Sequence, residues 1–191
     1  MLSVNRRLVG LAMASAVVLG GAAAVPAAAE GGAAEAQARH CRYSVDNAYI
    51  YKRWSELGGS DGFLGCPRTG TKNVTVNGVW RGQRQYFENG NITRSYYQGR
   101  RMVIAAWERD GHAFFNWGTT SPRYYDTFVV RYTSPAETQG RERQVGRGTS
   151  GGMWVKKRTT GDYTFRVKGC YKSAQGLRCP LGWTLTATTR N

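Results

Sequence analysis

Two glycine-framed serines come closest to catalytic chemistry in this 191-residue chain. Ser60, within Gly58-Gly59-Ser60-Asp61-Gly62, and Ser150, within Gly148-Thr149-Ser150-Gly151-Gly152, both fit G-x-S-x-G. That expression marks a nucleophile elbow only where a strand enters the serine and a helix leaves it. Around Ser60 the helical pattern comes first and Phe63-Leu64-Gly65 follows, and Ser150 precedes a strand-like run. Gly146 to Gly151 also fits G-x-G-x-x-G, yet no helix follows to receive a pyrophosphate at its N-terminus. All three matches therefore predict turns. A Ser-His-Asp set needs a histidine held by a buried acid. His40 sits beside Cys41 in a leader, and His112 follows Asp110-Gly111 in an expected strand-to-strand turn. A glycosidase needs two carboxyls flanking a cleft, which small sandwiches rarely supply without long loops. HExxH, EF-hand and C-x2-C spacings are missing, so no catalytic residue, metal or cofactor is expected.

The remaining chemistry is aromatic and cationic. Trp80 stands beside Arg81, Gln83, Arg84 and Tyr86, just past a hairpin turn. Tyr96, Tyr97, Arg100 and Arg101 form a second group. Aromatic faces suit the C–H surfaces of sugars, and they equally suit a small core. Guanidiniums can grip phosphate or carboxylate with two parallel hydrogen bonds. Each group is a glycan- or anion-binding candidate, with surface packing as its alternative.

Arg6 and Arg7, the apolar run from Leu8 to Val25 and Ala27-Ala28-Ala29 have the layout of a signal peptide over residues 1–29. Its removal leaves 25 of the 27 Lys and Arg against 12 Asp and Glu, a net of +13. Such a field attracts polyanions. The cations come in scattered pieces, among them Arg141/Arg143/Arg147 and Lys156-Lys157-Arg158, without a motif for specific nucleic-acid binding. No second apolar run long enough to span a membrane follows, so a secreted protein is expected.

Residues 30–39, rich in Gly, Ala and Glu, read as a flexible leader. Ser44 or Asp46 can then cap a helix in which Ile50, Trp54 and Leu57 share a face. Gly58 stops it in a left-handed conformation. Asn77-Gly78 and Asn89-Gly90 predict hairpin turns, flanked by Val74, Val76 and Val79 and by Tyr86, Phe87 and Ile92. Farther on, apolar residues alternate at Phe115/Trp117, Phe128/Val130/Tyr132, Met153/Val155, Tyr163/Phe165/Val167 and Trp183/Leu185/Ala187. Short strands at this spacing predict an antiparallel sandwich. The fold class is thus mainly β, a small helix-plus-hairpin module followed by a sandwich.

The first stretch, residues 40–99, resembles a single LGFP repeat, a module of secreted actinobacterial envelope proteins. The resemblance rests on Trp54, Leu57, Gly58, Gly59, Gly62, Leu64, Gly65, Pro67, Phe87, Gly90 and Ile92, with Cys66 where the family usually has Phe or Tyr. The second, residues 100–191, resembles a fibronectin type III domain. Trp117 matches its buried second-strand tryptophan, Tyr163 its tyrosine corner, and residues 162–170 its sixth strand.

Four cysteines in a small exported chain suggest two disulfides. Of the three connectivities, Cys41–Cys66 with Cys170–Cys179 keeps each bond inside one candidate domain. The resemblance implies a non-catalytic protein attached to a cell-wall polysaccharide or other anionic envelope polymer. A protein–protein module serving another secreted protein is the first alternative, and an envelope hydrolase the second.

Overall fold

The computed structural model describes residues 39–96 and 102–189, all within the compact unit Gln37–Asn191. The expected signal peptide, most of the expected leader, Tyr97, Arg100 and Arg101 lie outside the described residues. The chain is mainly β, with antiparallel sheets in a sandwich-like arrangement and one α-helix.

Helix α1 (Ala48–Glu56) opens at Asn47, whose side chain accepts from the N–H groups of Tyr49 and Ile50 at 3.0 and 3.1 Å. The expected caps Ser44 and Asp46 bond to each other instead. Asn47 takes the position because its carboxamide also donates to Gln83 at 2.6 Å, fixing the helix to a strand. Gly58 ends the helix at φ +96°, a conformation that costs glycine little.

Strands β1 (Lys72–Val76) and β2 (Val79–Tyr86) flank Asn77-Gly78, the expected hairpin turn, whose φ values of 51° and 74° suit type I′. Next come β3 (Gly90–Ser95), β4 (Val103–Arg109), β5 (His112–Trp117), β6 (Thr127–Ser134), β7 (Glu137–Val145), β8 (Gly151–Lys156), β9 (Thr164–Ser173), β10 (Gly176–Arg178) and β11 (Ala187–Thr188). One sheet has the order β1-β2-β3-β4-β5-β8. The other runs β10-β9-β6-β7, with β11 also paired to β9. The expected division at residues 99/100 falls between β3 and β4, which pair antiparallel. Both stretches therefore contribute to one sheet.

Strand β4 explains how. Met102, just before it, and Ile104 and Ala106 on it join the inter-sheet core with Phe115, Trp117, Phe128, Val130, Tyr132, Phe165 and Val167. Val103, Ala105 and Trp107 face the other way and pack with Ile50, Leu57, Leu64, Phe87 and Ile92 beneath the helix. Both faces of β4 are buried, so its sequence is a continuous apolar run rather than an alternation.

The two disulfides are Cys41–Cys66 and Cys170–Cys179. The first ties the segment before α1 to the loop before β1, and the second closes the β9–β10 hairpin. The expected strand through Trp183, Leu185 and Ala187 is reduced to Ala187–Thr188. Upstream of it Thr184 is buried, its N–H donating to the Val167 carbonyl at 2.9 Å and its hydroxyl accepting the Val167 N–H at 3.0 Å. Trp183 lies outside the core, 4.8 Å from the guanidinium of Arg166 and 4.3 Å from the ammonium of Lys168.

Candidate functional site

Strand β2 does not present its polar residues as one surface. It bulges at Arg81, because Trp80 opposes Thr75 while Gly82 opposes the adjacent Val74. Beyond the bulge Gln83 meets Asn47 at the helix, whereas Arg84 reaches the C-terminal segment on the opposite face. The Arg84 guanidinium donates to Thr93 Oγ1 at 3.0 Å, to Thr186 O at 2.7 Å, to Thr186 Oγ1 at 3.0 Å and to the Tyr86 hydroxyl at 3.4 Å. It is a structural clamp with little capacity left for an anion. Trp80 and Tyr96 do come together, with ring centres 5.2 Å apart and 38% and 40% exposed. The Trp80 indole donates to Asn73 Oδ1 at 3.2 Å.

A longer aromatic row crosses β4, β5 and β8 on the face that carries the helix. Phe63 stacks on Trp107 at 5.6 Å, and Trp107 stacks on Phe114 at 5.5 Å. His112 follows at 6.2 Å from Phe114 and meets Trp154 edge-on at 4.9 Å. Both ends of the row are open: Phe63 is 41% and Trp154 58% exposed. Arg109 lies 5.3 Å over the Phe63 ring. Phe115 and Trp117 carry the inward alternation of β5, and Phe114, just before them, lies on the outward phase with His112. Its signal is an aromatic on the outward phase of a strand whose inward phase is already filled.

A second feature is a cleft of about 810 Å³ beside α1, walled in part by Tyr49, Lys52, Arg53 and Glu56 of the helix. Opposite stand Val103, Asn116, Trp117 and Gly118, with Thr119, Ser150 and Gly151. Burial lowers the pKa of the Arg53 guanidinium, while the nearby Glu56 carboxylate acts to raise it. Elsewhere, burial pushes the Tyr125 hydroxyl upward, with Tyr171 adding to the shift and Arg123 opposing it.

Ser60 lies in a short 3-10 turn (Gly59–Asp61) after the helix, and Ser150 just before β8. Neither histidine adjoins a buried acid: His40 is exposed, and His112 Nδ1 lies 2.8 Å from the backbone oxygen of Asp110. Among the described residues no group of three or more His, Cys, Asp or Glu is placed to hold a metal, and no helix is long and apolar enough to cross a membrane. The exposed ends of the aromatic row, Phe63 and Trp154, and the cleft are the candidate ligand surfaces. No known family model matches the chain, and no curated protein or solved structure matches it either.

Proposed function

We propose that this is a secreted, non-catalytic adhesion protein that attaches to an anionic cell-wall glycan of actinobacteria. In this reading residues 40–99 are an LGFP-like module whose sheet continues into a fibronectin type III-like sandwich. Three features support the sandwich assignment. Trp117 lies on β5, the second strand of that stretch, and is buried in its core. Tyr163 enters β9, the sixth, and its hydroxyl accepts the Arg158 N–H at 2.7 Å, the back-bond of a tyrosine corner. Strands β4-β5-β8 lie in one sheet and β10-β9-β6-β7 in the other. The two disulfides suit an oxidising compartment.

The observation that carries the function is the aromatic row from Phe63 to Trp154. Sugar rings present C–H faces to aromatic surfaces, and the exposed ends of the row, Phe63 and Trp154, offer such faces on either side of the buried Trp107. The net positive charge adds long-range attraction to acidic groups on such a polymer.

The experiment is co-sedimentation with purified actinobacterial cell walls across a salt series, comparing Trp154→Ala and Trp80→Ala with the parent. Retention should fall with salt, fall again in Trp154→Ala, and fall less in Trp80→Ala. Full recovery of the parent in the supernatant at low salt would overturn the proposal. Salt-insensitive, saturable capture of one secreted protein would replace it with the protein-partner reading.

A further inference from the structure

The cleft beside α1 contains an unusually under-used cation. The Arg53 side chain is only 18% exposed and makes one ion pair, Nη1 to Glu56 at 3.3 Å. Its Nε is buried without a hydrogen-bond partner among the described residues. A guanidinium has five N–H donors, and leaving even one of them unused away from water is costly. Across the cleft, Asn116 Oδ1 is likewise buried and unpartnered. Gly118 makes room for the guanidinium, since a Cβ there would sit 2.1 Å from Arg53 Nη2. A side chain at that position would displace the arginine.

We propose that this cleft binds a small hydroxylated carboxylate of the acidic-sugar class, with Arg53 as the carboxylate anchor. Three properties select that chemistry. Lys52 and Arg53 bring two positive charges and Glu56 one negative, so the helix wall matches a monoanion; a phosphate dianion would overcompensate it. The walls combine the partly exposed Tyr49 with the hydroxyls of Thr119 and Ser150 and the amide of Asn116, over the buried Val103 and Trp117. That mixture suits a ring with apolar faces and polar edges. The volume lies within the usual range for ligand pockets, about 300–1,000 Å³. The site stands apart from wall adhesion, because none of Phe63, Trp107, Phe114, His112, Trp154, Trp80 and Tyr96 lines the cleft.

The test is an amide chemical-shift titration of the full mature chain with glucuronate, with glucose and inorganic phosphate as controls. Glucuronate should give saturable shifts at Lys52, Arg53, Asn116 to Thr119 and Ser150-Gly151, while glucose and phosphate leave these amides in place. Arg53→Met should weaken glucuronate binding by roughly ten- to a hundredfold, as expected for loss of a charged hydrogen-bonding partner. Trp154→Ala should bind glucuronate as the parent does. Absence of saturable shifts, shifts confined to other residues, equal binding of glucose or phosphate, or unchanged affinity in Arg53→Met would each overturn the assignment. Where Arg53→Met loses its dispersed spectrum, Ser150→Trp decides the matter, because Ser150 is exposed at the cleft wall. Loss of glucuronate shifts in that variant supports the site, and their retention overturns it.

Discussion

Arg84 on β2 donates to the carbonyl of Thr186 at 2.7 Å, across 102 residues of sequence. The bond joins the stretch around the helix to the segment leading into β11. Thr93 Oγ1 donates to the same carbonyl at 3.0 Å, and Leu185 N–H donates to Ser95 Oγ at 2.9 Å. With β4 buried on both faces, these contacts predict that the compact unit unfolds in one step. Arg84→Ala should cost about 2 kcal/mol, the scale of hydrogen bonds to a charged group. In calorimetry the single transition should move down by roughly 4–8 °C for a unit of this size. Two resolved transitions in the parent, with only one sensitive to Arg84, would show that the two stretches melt separately.

The Tyr163 hydroxyl predicts a smaller and more local effect. Tyr163→Phe leaves the ring in the core and removes only the acceptor for Arg158 N–H. About 1–2 kcal/mol should be lost, measured by denaturant unfolding with an unchanged slope. Hydrogen exchange should quicken at Arg158 before it quickens at Phe165 or Val167, whose amides lie deeper in β9. A variant as stable as the parent would remove the tyrosine corner from the forces holding this loop.

Much of the fold is legible in the sequence wherever one face of a strand is wet. Phe128, Val130 and Tyr132, and Tyr163, Phe165 and Val167, alternate in sequence and are buried in the structure. Legibility fails where that condition fails. Strand β4 is covered on both sides and so reads as unbroken apolar residues. Strand β7 is an edge, paired only to β6 and largely exposed, so Arg141, Glu142 and Arg143 give no period at all. In the last segment, threonine hydroxyls replace backbone partners and break the alternation of Trp183, Leu185 and Ala187. The β2 group expected to bind glycan suffers most, because a bulge interrupts it. The extra residue that β2 carries at Arg81 resets the strand's alternation between Trp80 and the later Gln83 and Arg84.

Tyr125 predicts a loss of stability at alkaline pH. Its hydroxyl is buried without a hydrogen-bond partner among the described residues, and burial raises its pKa above the ordinary value. The ionised form is thus disfavoured in the native state relative to the unfolded chain. The contribution is fully present below the unfolded tyrosine value of about 10. It is lost as pH rises from there through the elevated native value. Tyr125→Phe should flatten this part of the stability profile. At neutral pH the variant should equal or exceed the parent by up to about 1 kcal/mol, since it deletes an unsatisfied polar group. Urea melts at pH 7 and at successive alkaline steps test both statements. A parallel alkaline decline in parent and variant would assign the effect to other groups.

The two disulfides should differ in weight and in reach. Cys41–Cys66 closes a separation of 25 residues and Cys170–Cys179 one of 9. On the loop-entropy account they stabilise by about 3.5 and 2.6 kcal/mol. The longer bond also anchors the segment preceding α1, beside the Cys66 N–H that donates to Glu88 Oε2 at 3.2 Å. Replacing Cys41 and Cys66 by serine should therefore lower stability more than replacing Cys170 and Cys179. In the first variant, hydrogen exchange should accelerate in α1 and around Leu64, where the small helix-side core depends on the staple. In the second it should accelerate at the β9–β10 hairpin and leave α1 protected. Equal losses, or fraying of β10 on removal of the first bond, would mean that chain entropy and local anchoring do not govern how these bonds act.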